Sequence, residues 1–125
     1  DKYYFGLFAA VNKAVISNLV ITNSSITSSN TGGSISAMTG YVGGPVNYSK
    51  CIIDETVSIK GAHASGYASY GSGNVTIDSC GSFAEISGSM YTASFIADVW
   101  SSTLKISNSI GIEKLSPRRS ISSIS

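Results

Sequence analysis

The sequence predicts an all-β fold, a parallel β-helix (solenoid) of about four coils of roughly 29 residues, and three observations carry that prediction. First, two landmarks recur at one long period. Gly6-Leu7-Phe8-Ala9, Ser34-Ile35-Ser36-Ala37, Ser65-Gly66-Tyr67-Ala68 and Ser94-Phe95-Ile96-Ala97 share one shape, with successive alanines 28, 31 and 29 residues apart. Ile16-Ser17-Asn18-Leu19, Tyr48-Ser49-Lys50-Cys51, Ile77-Asp78-Ser79-Cys80 and Ile106-Ser107-Asn108-Ser109 form the second, ending at spacings of 32, 29 and 29. Second, apolar and small polar residues alternate at strand spacing in Val57-Ser58-Ile59, Val75-Thr76-Ile77 and Leu104-Lys105-Ile106. Helical periodicity is absent. Third, turn-formers punctuate these runs: Thr31-Gly32-Gly33, Gly43-Gly44-Pro45, Gly71-Ser72-Gly73-Asn74 and Gly88-Ser89.

Each repeat therefore reads as two or three short strands joined by tight corners. A β-sandwich has regular turns without a landmark at one long period. In a solenoid, equivalent strands stack in parallel about 4.8 Å apart, and equivalent residues form rows. Ala9, Ala37, Ala68 and Ala97 are expected to make a small-residue corner. Leu19, Cys51, Cys80 and Ser109 make a second row, and Ile26, Val57 (or Ile59), Ile86 and Ile112 a third. Buried aliphatics in such rows contribute about 1.5–3 kcal/mol each. Repeats fill residues 1–115. In the tail, 116–125, Ser116-Pro117-Arg118-Arg119 breaks the pattern before a strand-like rhythm resumes, as a fifth coil or a cap. The chain opens on Asp1 with a repeat from about residue 5, and is expected to be a piece of a longer protein.

Composition narrows the function classes. Charged residues make up 12%, against about 25% in ordinary soluble domains, and the net charge is +1. Nothing there favours nucleic acid or an anionic membrane. Serine fills 26 positions, yet 42% hydrophobic residues interleave with it, which argues for order. No apolar run approaches the roughly 20 residues of a membrane helix.

Candidate chemistry is sparse. Cys51 and Cys80 share a repeat position in neighbouring coils, at a separation that suits either a disulfide or a ladder of buried thiols. With His63 alone beside them, zinc lacks ligands, and no metal or other cofactor is expected. His63, in Gly61-Ala62-His63-Ala64-Ser65, reads as an exposed loop histidine. The acids Asp1, Asp54, Glu55, Asp78, Glu85, Asp98 and Glu113 do not converge on one position of the repeat, so no catalytic residue is assigned. Asn18 and Asn108 share a position interrupted by Lys50 and Ser79.

Aromatics stand out in so small-sided a sequence. Tyr41, Tyr48, Tyr70, Tyr91 and Trp100 are candidate contact residues, with core filling at coil ends and corners as the competing reading. Residues 41–48 lie where the repeat is longest and are expected to protrude, within a loop 38–48 expected to make contacts. Asn23, Asn47 and Asn74 head Asn-x-Ser/Thr sequons, candidate glycosylation sites at turns.

Gly6-Leu7-Phe8-Ala9, then Ile16-x-Asn18-Leu19 and Ile26, resembles the GLUG-type repeat of bacterial and protist adhesin-like surface proteins. Ile77-Asp78-Ser79-Cys80 with Ile86-Ser87-Gly88 matches the second half of that unit, and Ile59-Lys60-Gly61 echoes its end. The family's final Gly of the first motif is Ala in all four copies here. The resemblance covers residues 5 to about 113 and implies a right-handed parallel β-helix on an extracellular or cell-surface protein. The expected role is structural or adhesive, a stiff rod contacting other protein chains, further copies of itself, or glycans. A carbohydrate-active lyase or hydrolase module and an ice-binding solenoid are the alternatives. The eight threonines are too scattered for a regular ice-binding array.

Overall fold

A computed structural model describes residues 3–29, 33–100, 103–111 and 115–116. Among them are eighteen short strands and no helix. The first coil carries β1 (Tyr3–Phe5), β2 (Phe8–Val11), β3 (Ala14–Ser17), β4 (Val20–Ile21) and β5 (Ser25–Thr27). The second carries β6 (Gly33–Ser36), β7 (Thr39–Val42), β8 (Val46–Ser49) and β9 (Ile52–Ile53). Next come β10 (Ser58–Ser65), β11 (Ala68–Gly71), β12 (Val75–Asp78) and β13 (Gly81–Ser82). Then follow β14 (Glu85–Ala93), β15 (Ile96–Val99), β16 (Leu104–Ser107), β17 (Ile110–Gly111) and β18 (Leu115–Ser116).

Every pairing is parallel, and every partner comes from the neighbouring coil except that β5, at the end of the first coil, pairs with β10 beside β6. The strands sort into four sheets: β1-β6-β10-β14-β18 with β5, then β2-β7-β11-β15, β3-β8-β12-β16 and β4-β9-β13-β17, here sheets 1 to 4. The chain is a parallel β-solenoid of about four turns of roughly 29 residues. Each turn bends four times around one core.

The corner between sheets 3 and 4 explains the second landmark. Asn18, Lys50, Ser79 and Asn108 all adopt left-handed backbone, with φ of 57°, 54°, 57° and 49°. The repeat thus conserves a bend rather than a side chain, and Asn tolerates that bend best. Leu19, Cys51, Cys80 and Ser109 follow it in register. Ile52 N–H donates to Leu19 O (2.9 Å), Gly81 N–H to Cys51 O (2.9 Å) and Ile110 N–H to Cys80 O (3.0 Å). Both cysteines are free and buried. The Cys51 thiol faces the Ser49 and Ile16 carbonyls, and the Cys80 thiol faces Asp78 O. Burial raises the Cys80 thiol pKa above its ordinary value. Thiol reagents are therefore expected to react slowly with the native chain and rapidly after denaturation, measured as released chromophore over time.

A polar clamp ties the third coil to the fourth beside this corner. The Asp78 carboxylate accepts from Asn108 Nδ2 (2.9 Å), Ser107 Oγ (2.8 Å) and Ser79 Oγ (3.3 Å). Those bonds, from Asn108 first, hold its pKa below the usual carboxylate value. A depressed folded pKa means stability present above the ordinary carboxylate range and lost as pH falls through the folded value. Asp78→Asn is expected to lower the unfolding midpoint at neutral pH. The gap to the parent chain should close as acidification protonates Asp78, in parallel melts from pH 7 to pH 2.

Two expected rows are corrected. The pairs Phe8↔Thr39, Thr39↔Ala68 and Ala68↔Ile96 put Ala68 in one row of sheet 2. Ala9 and Ala97 fall one residue after that row and Ala37 two before it, so the four alanines do not stack. Small side chains recur around this corner without one of them holding a fixed place. The third row runs Ile26–Ile59–Ile86–Leu115. Val57 is buried but out of that row, because the bend through Asp54 and Thr56 is longer than its equivalents. Ile112 lies outside the described residues, as do Glu113, Arg118, Arg119 and the tail beyond Ser116.

Residues 38–48 do not protrude. They form β7 and β8 in register with the coil above. The extra length of this repeat enters instead between β5 and β6, since single-stranded β10 pairs with both.

Candidate functional site

Sheets 1 and 2 meet at a corner where outward side chains converge. In sheet 1 one row runs Tyr4, Ser34, His63, Tyr91. In sheet 2 a row runs Ala10, Tyr41, Tyr70, Asp98. Strict alternation would turn Tyr41 toward the core, because Thr39 is fully buried. Val42 is fully buried too, three residues later, and the ladder skips Gly40. Tyr41 and Tyr70 keep part of their surface in solvent, while Gly40 and Ser69, the residues before them, are buried.

Rings from the two rows touch. Tyr4 lies 4.9 Å from Tyr41 and 5.6 Å from Tyr70, centroid to centroid. Tyr41 and Tyr70 are 6.3 Å apart, and Tyr70 and Trp100 6.2 Å. His63 lies 5.2 Å from Tyr91 and 6.1 Å from Tyr70. Outward side chains of adjoining sheets diverge at a convex corner, so contacts this short mean that the corner is re-entrant. Gly40 permits it: a Cβ there would sit 2.6 Å from the Phe5 amide nitrogen. The Trp100 backbone N–H donates to Gly71 O (2.8 Å), which ties that point of the chain to the coil before it. The product is a strip of aromatic side chains, two rows wide, running along the stack. Trp100, 69% exposed, and Tyr91, 37% exposed, offer it most openly to solvent, while Tyr4, Tyr41 and Tyr70 are half-buried.

Its polar content is small. His63 Nδ1 lies 3.6 Å from Asp98 Oδ2, an ion pair when the imidazole is protonated. His63 Nε2 lies 3.3 Å from the Met90 thioether. His63 therefore sits in a strand with its side chain 13% exposed, not in an exposed loop. The phenol hydroxyls, this pair and the ring faces are suited to stacking and hydrogen bonding. Among the described residues, no three His, Cys, Asp or Glu side chains gather as a metal ion requires.

Tyr48 is corrected from contact residue to core. It is fully buried, its hydroxyl donating toward Thr39 Oγ1 (2.7 Å), and its ring meets Tyr67 edge-on at 5.3 Å. His63 and Asp98 are not among the contacts that the sequence predicts. The period itself carries their signal: Tyr41 and Tyr70 are 29 residues apart, Ser34 and His63 29, His63 and Tyr91 28. Asn23, Asn47 and Asn74 are all exposed, Asn23 and Asn74 at corners and Asn47 within β8.

A second outward feature lies on sheet 4, where Val20, Ile52 and Ile110 are exposed in one row. Gly81 interrupts it, and the Phe83 ring lies against the gap. The described residues contain no helix long and apolar enough to cross a membrane. No family model matches this chain, and neither a curated protein nor a solved structure is similar to it.

Proposed function

We propose that this chain is an adhesive segment of an extracellular or cell-surface protein, a stiff solenoid that makes contact through the aromatic strip between sheets 1 and 2. One observation carries the reading: six ring-bearing side chains from four coils converge at one outward corner of the solenoid. Exposed aromatic side chains are costly to leave in water without a partner, and Tyr and Trp dominate contact hot spots. The stacked coils hold those side chains at fixed spacing, so little conformational freedom is lost on contact. The exposed sequons and the resemblance to GLUG-type repeats favour the cell exterior.

The test is retention on coated surfaces: immobilised glycans, extracellular-matrix protein and bare hydrophobic beads. The parent chain is expected to be held on at least one biological coating. Tyr91→Ser with Trp100→Ser should cut retention at least tenfold while leaving the β-type circular dichroism and the melting midpoint unchanged. Retention unchanged by that pair sinks the strip as the contact surface. Release of new sugar ends from a coating would replace adhesion with the carbohydrate-active alternative.

A further inference from the structure

We propose that the strip takes a neutral, extended glycan chain lying parallel to the solenoid axis, an inference that rests on the adhesive reading above and names its ligand. The rings set the direction. Tyr41, Tyr70 and Trp100 come from successive coils at nearly equal separations of 6.3 and 6.2 Å, so the surface repeats along the stack. His63 and Tyr91 run beside them at 5.2 Å. A linear ligand with its own repeat can meet such a file at several points at once.

Size favours the same ligand. A stable protein partner covers about 800 Å² of each surface, mostly by a broad patch with an apolar centre. This strip is two rows wide and set in a re-entrant corner, which grips a chain from two sides and leaves mainly Trp100 and Tyr91 open to a flat surface.

Charge selects among glycans. The four described lysines sit elsewhere: Lys13 and Lys50 at corners, Lys105 on sheet 3, and Lys60 across the β10 irregularity from His63. The one carboxylate on the strip, Asp98, repels anions and hydrogen-bonds hydroxyls, with His63 3.6 Å away. Sugar rings present polarised C–H groups on one side and hydroxyls at the rim, which complement the ring faces and phenol oxygens of tyrosine. Trp100 and Tyr91, the most exposed members, both lie in the fourth coil and are the stacking platforms at that end, from which Tyr70 and Tyr41 continue the path along the axis.

Trp100 is the only tryptophan in the chain, so its fluorescence reports on the strip directly. The probes are cellohexaose, laminarihexaose, mannohexaose and chitohexaose, each with its disaccharide, and hexagalacturonate as the anionic comparator. At least one neutral hexamer is expected to give a saturable change in Trp100 emission, at least tenfold tighter than its disaccharide and than hexagalacturonate. Tyr91→Ala, on the exposed rim, and Tyr70→Ala should each weaken that binding at least tenfold, and the rim variant guards against a loss caused by unfolding. No saturable change with any neutral hexamer, or tighter binding of hexagalacturonate, overturns the proposal. If the chain is still held on protein-coated beads in a strip-dependent way, adhesion stands and only the glycan falls. If strip variants adhere like the parent chain, adhesion falls as well.

Discussion

Gly71→Ala is expected to cost about 3 kcal/mol or more of unfolding free energy, enough to leave a marginal domain largely unfolded at room temperature. Gly71 has φ of 137°, in backbone space that L side chains rarely adopt. A Cβ there would overlap the carbonyl oxygen of Val42, a rigid backbone atom in the preceding coil. The two penalties are independent: relaxing φ toward ordinary values would break the ladder pairs Gly71↔Val42 and Gly71↔Val99. Gly71 also anchors the Trp100 backbone, so the damage reaches the strip. Urea titration followed by circular dichroism checks it. A midpoint within error of the parent chain would show that coils two and three are not spaced as described.

The second large effect is at Tyr67, whose side chain joins three coils. Its ring is fully buried, edge-on to Tyr48 at 5.3 Å and tilted against Phe95 at 5.3 Å. Its hydroxyl lies 2.9 Å from Cys51 O, in the cysteine row, and 2.7 Å from Gly81 O, one residue past it. Burial, the largest influence, raises the phenol pKa far above its ordinary value, so the hydroxyl stays a donor at all working pH. Tyr67→Ala leaves a cavity and two carbonyls without that donor, for about 3–5 kcal/mol. Tyr67→Phe isolates the hydroxyl and is expected to cost about 1–3 kcal/mol. The order Ala worse than Phe worse than parent, in urea midpoints, is the expected result.

Much of this architecture is legible in residue spacing. Leu19, Cys51, Cys80 and Ser109 stack as their period requires, because a left-handed bend precedes each and fixes the phase. Phase is lost where corners differ in length. The longer bend through Asp54–Thr56 moves Ile59, not Val57, into the row of Ile26 and Ile86. Direction is lost where alternation breaks. Tyr41 and Tyr48 are the same residue type seven positions apart, yet the irregularity at Gly40 sends Tyr41 outward while Tyr48 follows strict alternation inward. Convergence at the strip was hidden for a further reason. Tyr4, His63 and Tyr91 share a sheet row, Tyr41 and Tyr70 another, and only the angle between two sheets brings those rows together.

Hydroxyl-radical oxidation read by peptide mass, on the chain free and held on its surface, tests the contact assignment most directly. In the free chain Trp100 and Tyr91 are expected to oxidise readily, and the buried Tyr48 and Tyr67 to resist. On the surface, Trp100, Tyr91 and Tyr70 should become protected together while Val20, Ile52 and Ile110 on sheet 4 keep their free-state rates. Protection confined to that sheet 4 row, with Trp100 and Tyr91 still oxidised, would contradict the assignment and move the contact to sheet 4.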